Sequence, residues 1–184
     1  MSLRYAVEDS KNGCAYSLYN IITPKVGLSY IENMNFSKIV QQDYTLSSGL
    51  GGLHHGTNTV EMANAYSTLE NHGEYRQADC ISSILDASGN EIYEEPESKT
   101  VYTRSASDQM TDILEGVLNS SAGTAKGLKW SSASDVAAAA KTGTTNDNNV
   151  AWFCGYTPYY TISVWVGYDY PKSVKGLWGN TYPA

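Results

Sequence analysis

Apolar residues recur at Ala15, Leu18, Tyr19 and Ile22, the i, i+3, i+4, i+7 spacing that lines one face of a helix. The pattern predicts a helix running on from Asn12, with Thr23-Pro24 and Gly27 ending or bending it. Leu28 to Met34 reads as a second short helix, with Phe36, Ile39 and Val40 in the link behind it. Gly49 to Gly52 reads as a turn or a tight approach. Asn58 and Thr59 are good caps, and Glu61 stands three residues after Asn58 as in a capping box. The helix they open, from about Val60 to Asn71, is predicted to stop at Gly73.

Ile81 to Leu85 and Glu91 to Glu94 flank Ala87-Ser88-Gly89-Asn90, a hairpin signal. Glu94 to Glu97 is a solvated loop. Ser105-x-x-Asp108 is expected to cap a further helix, whose apolar stripe is Met110, Ile113, Leu114, Val117 and Leu118. Gly123-Thr124-Ala125 and the Ser-rich segment from Trp130 to Ser134 read as irregular. From Val136 onward the pattern turns to strands: Val136 to Lys141, then a polar turn at Thr145 to Asn149, then Val150 to Tyr156 and Thr161 to Tyr168. No internal repeat is evident, and the reading is one domain.

With 184 residues and 41% hydrophobic content, the chain is long enough for a real core and is not disordered by composition. Its formal charge of -7 and the lack of a basic stripe argue against nucleic acid as a partner. No stretch approaches the roughly twenty apolar residues that a membrane-crossing helix needs. Cys14, Cys80 and Cys154 form no paired or metal-ligand spacing, so small buried thiols are expected. His54-His55 and His72 lack a carboxylate or cysteine at ligand spacing and read as surface or cap residues, with no metal. The 15 tyrosines and four tryptophans are read as strand-packing aromatics and not as a sugar-binding surface.

Three segments make sense only together: Ser10-Lys11-Asn12, Gly49-Leu50-Gly51-Gly52-Leu53, and Lys141-Thr142-Gly143-Thr144-Thr145. A Lys-Thr-Gly strand has a plain physical logic. Lys141 supplies positive charge, Thr142 points to the other face of the pleat, and Gly143 lets another backbone come close. The run is followed by Ala151-Trp152-Phe153-Cys154-Gly155-Tyr156-Thr157-Pro158 and Val164-Trp165-Val166-Gly167-Tyr168-Asp169. With those strands, and with Ser-x-Asn lying about 130 residues upstream, the sequence from about Leu3 to Asp169 resembles the transpeptidase domain of class A penicillin-binding proteins.

The resemblance implies an α+β fold in which helices flank an antiparallel sheet, a β-lactamase/transpeptidase-like arrangement that is incomplete here. It further implies a serine acyl-enzyme that cross-links peptidoglycan. Lys141 would be the cation, Ser10 would relay a proton toward the leaving amine, and Asn12 would hold the acyl-donor peptide. Thr144 and Thr142 would bind the substrate carboxylate by their hydroxyls, Gly143 would admit the substrate backbone, and the Thr144 N–H would be one oxyanion donor. The implied partners are the D-Ala-D-Ala stem peptide and β-lactams, with no cofactor. The parent would sit on the outer face of the bacterial cytoplasmic membrane.

The S-x-x-K segment of that signature, which carries nucleophile and base, does not occur in the 184 residues. The expectation is therefore a partial domain over residues 1–184, cut on its N-terminal side and on its C-terminal side, and inactive by itself. An uncovered strand or apolar helix face would then invite dimerisation. A D,D-carboxypeptidase or a β-lactamase shares the same motifs, and a non-catalytic binding module is the reading from another class.

Overall fold

The computed structural model describes residues 1–128 and 136–184; the Ser-rich segment read as irregular at 130–134 lies outside them. Three helices come first, α1 at Leu3–Glu8, α2 at Asn12–Ile22 and α3 at Pro24–Asn33. Ser2 caps α1 by accepting from the Tyr5 N–H at 3.2 Å. Thr23 breaks the second helix with φ 72°, and Pro24 then opens the third at a position where its missing N–H costs nothing. Gly27, expected to end or bend a helix, lies inside α3. It and Gly49 instead seat the Tyr19 ring.

The stripe on α2 is real as a helix but buries nothing. Leu18 and Ile22 remain 46% and 41% exposed, while Tyr19 is better covered, its hydroxyl 2.9 Å from Ser48 Oγ. Two short 3-10 turns follow, Gln41–Asp43 and Leu46–Leu50. The fully buried Asp43 carboxylate anchors this stretch by accepting from the N–H groups of His54 at 2.5 Å and Val40 at 2.8 Å. Those hydrogen bonds hold its carboxyl below the usual carboxylate range.

Helix α4 spans Thr59–Glu70, and Asn58 caps it as expected by accepting from the Glu61 N–H at 2.9 Å. Glu61 carries its carboxylate elsewhere, to Ser37 N and Oγ at 2.9 and 2.6 Å and to Thr57 Oγ1 at 2.7 Å. The helix stops where predicted, with Gly73 at φ 95° and its N–H on the Thr68 carbonyl at 2.8 Å. Two-residue strands β1 (Glu74–Tyr75) and β2 (Lys99–Thr100) then pair antiparallel; the sequence pattern had not indicated them. The expected hairpin is reduced to one bridge, Leu85 to Glu91, around a turn in which Asp86 accepts from Ser88 and Asn90.

Helix α5, Arg104–Asn119, is capped by Thr103 and not by Ser105. Thr103 already has the extended backbone a cap needs, and its hydroxyl accepts from the Ala106 N–H at 3.3 Å. Its predicted stripe faces the core, with Leu114 and Val117 buried and Met110 and Leu118 packed beside them. The main sheet runs β3 (Ala139–Thr144), β4 (Val150–Tyr156) and β5 (Thr161–Gly167), all antiparallel in that order. The first strand starts three residues later than read and carries the Lys-Thr-Gly run within itself.

Ala139, Ala140, Phe153 and Tyr156 close the core against α5. Burying each large apolar side chain there is worth about 1.5–3 kcal/mol. An ion pair between Arg4 and Asp112 and the packing of Val7 bring α1 onto the same helix. That placement delivers Ser10 to the sheet. All three thiols are free, but only Cys154 is buried and Cys80 is exposed, so the expectation of buried thiols holds at one of three. His72 does find a carboxylate, Asp108 at 2.7 Å on α5.

Candidate active site

Strand β3 is one of the two edge strands of its sheet among the described residues. Its pairing phase follows from Thr145, whose N–H donates to the Val150 carbonyl at 3.0 Å. In an antiparallel ladder alternate residues point their polar groups at the neighbour. Lys141 and Gly143 therefore bond to β4, and the N–H and C=O groups of Thr142 and Thr144 face the open edge. The side chains alternate too, Lys141 on one face and Thr142 and Thr144 on the other.

Lys141 reaches across 131 residues of sequence to Ser10. Its Nζ donates to Ser10 Oγ at 2.8 Å and to the Thr142 carbonyl at 2.7 Å. Burial removes water from the ammonium and pulls its pKa from 10.5 down to about 8. At neutral pH the group is still mostly charged.

Ser10 owes its position to the end of α1. The Lys11 N–H donates back to the Ala6 carbonyl at 2.8 Å, closing the helix with Ser10 in the left-handed region at φ 52°. Glycine is the usual residue there, since a Cβ costs about 1 kcal/mol in that conformation. We expect Ser10→Gly to raise the chain's unfolding free energy by about 1 kcal/mol in urea titration while deleting the hydroxyl that Lys141 contacts. A neutral or destabilising result would mean that losing the bond to Lys141 matches or outweighs the relief of the left-handed turn.

Lys11 turns away to Asp9 at 2.7 Å. Asn12 opens α2 on the exposed surface, two residues from Ser10.

The two threonines have partners the sequence reading missed. Thr142 Oγ1 lies 2.7 Å from Thr124 Oγ1, and Thr144 Oγ1 accepts from the Gly179 N–H at 3.0 Å. Asn180 Nδ2 donates to the Thr124 carbonyl at 2.8 Å. Thr124 stands in a segment whose composition signals only irregular backbone. The Gly179-Asn180 pair is a turn signature, which could have marked the tail as ordered. A hydroxyl can accept and still donate, so Thr144 keeps a proton for a ligand, and the Thr124–Thr142 pair keeps one between them.

The arrangement gathers a cation, two threonine hydroxyls, an edge with outward N–H and C=O groups, and a serine held against the cation. It can bind a carboxylate and pair with an extended peptide. A groove of about 310 Å³ lined by Thr59, Val60, Ala63 and Ser163 contains none of these residues. Among the described residues no group of three His, Cys, Asp or Glu side chains could hold a metal ion.

Residues 1–178 match the family described as "Penicillin binding protein transpeptidase domain". The chain is 33% identical over 178 residues to Penicillin-binding protein 4 of Bacillus subtilis, covering 96% of this chain and 28% of that protein. It is 34% identical over 176 residues to Penicillin-binding protein 1A of Clostridium novyi, covering 95% of this chain and 20% of that protein. The chain thus spans about a fifth to somewhat over a quarter of these relatives. Its fold is similar to that of the PonA1 protein of Mycobacterium tuberculosis in complex with penicillin V, with TM-score 0.78, 23% identity, and coverage of 99% of this chain and 53% of that one. It is also similar to Penicillin-Binding Protein 1A from Haemophilus influenzae, with TM-score 0.75, 20% identity, and coverage of 98% and 32%.

Proposed function

The chain belongs to the penicillin-binding-protein transpeptidase family, and from that premise we propose that it supplies the substrate-holding part of a peptidoglycan D,D-transpeptidase. The observation that carries this reading is the 2.8 Å bond between Lys141 Nζ and Ser10 Oγ. It joins two motifs that mean little apart. In this reading the parent attacks the D-Ala-D-Ala carbonyl with a serine outside this sequence and releases the terminal D-Ala. The acyl group then passes from that serine to an amine of a second stem peptide, the ester bond breaking as the new amide forms and the serine regaining its proton.

Lys141 meets the substrate carboxylate with the N–H left over from its bonds to Ser10 and Thr142. Ser10 takes a proton from the nucleophile's side and hands it to the leaving amine, while Lys141 balances the charge. Asn12 holds the acyl-donor amide. Thr142 and Thr144 donate to the carboxylate, and Gly143 keeps the edge open to the peptide backbone. The outward N–H of Thr144 serves as an oxyanion donor. β-Lactams, which mimic the acyl donor, enter by the same contacts, and the work is done on the outer face of the cytoplasmic membrane.

Two measurements test the reading. Intact mass after excess benzylpenicillin should stay unchanged for this chain, since it holds no S-x-x-K serine; a stoichiometric adduct would place the acylated residue inside it. In the full-length protein, Ser10→Ala should slow labelling by a fluorescent penicillin about 10²-fold or more. Labelling at the unmutated rate would remove Ser10 from proton transfer.

A further inference from the structure

The last residues of the chain cross the motif strand and meet it at its hydroxyls. Gly179 lies against the backbone of the Gly143–Trp152 pair. A Cβ there would stand 2.6 Å from the Trp152 carbonyl oxygen and 2.8 and 2.9 Å from the oxygen and nitrogen of Gly143. These are backbone atoms of a paired ladder and cannot rotate aside, so only glycine lets the tail settle at this depth. From there its N–H reaches Thr144 Oγ1.

The tail is anchored on both sides of that contact. Leu177 is fully buried, and its carbonyl accepts from Asn148 Nδ2 at 2.6 Å. Asn180 holds the Thr124 carbonyl, and Thr124 in turn holds the hydroxyl of Thr142.

We propose that Gly179 is a positioning residue for recognition of the substrate's terminal carboxylate, acting through the hydroxyl of Thr144, with Asn180 playing the lesser, parallel part through Thr124. The proposal rests on the carboxylate role given above to Lys141 and Thr144. Its physical basis is the hydroxyl's single proton. An N–H fixed on the oxygen occupies an acceptor site, so the proton points away from the Gly179 N–H and is left to a ligand. A donor ordered before the ligand arrives loses less freedom on binding than a free rotor. Without the Gly179 bond the hydroxyl is free to spend its proton elsewhere.

The test uses the purified chain and two unreactive ligands, N-acetyl-D-Ala-D-Ala and its C-terminal amide, titrated by NMR. The unmutated chain should prefer the acid about tenfold, the range for a hydrogen bond to a charged group. Gly179→Ala should cut that preference at least fivefold, and Asn180→Ala should cut it less. In a Thr144→Val background, Gly179→Ala should change the preference no further, since the two act as one unit.

If Gly179→Ala disrupts folding, the Gly179 amide resonance of the unmutated chain gives an independent reading. It should move on adding the acid and stay put on adding the amide. No acid preference in the unmutated chain would overturn the carboxylate reading and this proposal together. An intact preference in a folded Gly179→Ala, or tighter binding of both ligands by it, would overturn this proposal alone and make the tail a mere cover.

Discussion

Lys141→Met is expected to make the chain more stable and to abolish its preference for ligands with a free carboxylate. The buried ammonium titrates near 8 in the fold against 10.5 for the ordinary group. The folded state therefore disfavours the proton that the unfolded chain keeps. Between about pH 8 and 10.5 the unfolded chain binds more protons, so stability rises with pH through that window. Below pH 8 both states hold the proton, and the fold bears the full cost, up to roughly 3 kcal/mol. The cost is one of lost hydration, and the bonds to Ser10 and Thr142 offset part of it.

Methionine keeps the length of the side chain and removes the charge. Chemical denaturation at pH 7 should thus show a gain of about 1–3 kcal/mol. The same series at pH 10 should show the gain shrinking, as the unmutated chain recovers. Carboxylate binding by the unmutated chain runs the other way, falling as the pH passes 8. A Lys141→Met chain less stable at pH 7 would mean that the ammonium is a net tie in the fold and not a strain held for function.

Gly123→Ala should cost about 2–4 kcal/mol and weaken carboxylate binding along with stability. A Cβ at this position would overlap the carbonyl oxygen of Val117 and stand 2.6 Å from that of Gly116. Both belong to the last turns of α5, and a backbone carbonyl in a helix has nowhere to retreat. The turn bonds in which the N–H groups of Gly123 and Ala125 meet the carbonyls of Ser120 and Val117 would have to open. Thr124 lies between them, so its hydroxyl would leave Thr142. Urea titration and NMR binding of N-acetyl-D-Ala-D-Ala check the two halves. Stability lost with binding intact would detach Thr124 from the site.

What could be read in the sequence divides along a physical line. Local signals worked where the answer is local: the Asn58 cap, the stop at Gly73, the stripe on α5, and the polar turn between the first two strands of the sheet. They erred where neighbours decide. The spacing of Ala15, Leu18, Tyr19 and Ile22 told that α2 is a helix but not that its apolar face is only partly covered. Gly27 reads as a breaker until the Tyr19 ring is seen to need its place. Ser10, Asn12 and Lys141 were legible as motif members because their setting resembled a family. Thr124, Gly179 and Asn180 were not, since their role is a contact made across the fold by residues with no chemistry of their own to announce it.

The bond from Lys141 to Ser10 spans 131 of the chain's 184 residues, and that separation has a kinetic meaning. A contact of such range closes a very long loop, and its entropy is not recovered until the intervening helices have docked. The pairing of β3 with β4 and the growth of α5 need only near neighbours, so they can precede it. Serine and lysine would then meet among the last events of folding. A partly folded chain could display an ordered sheet and helix yet offer nothing that holds a carboxylate. Ligand binding during refolding would therefore lag behind the far-UV signal.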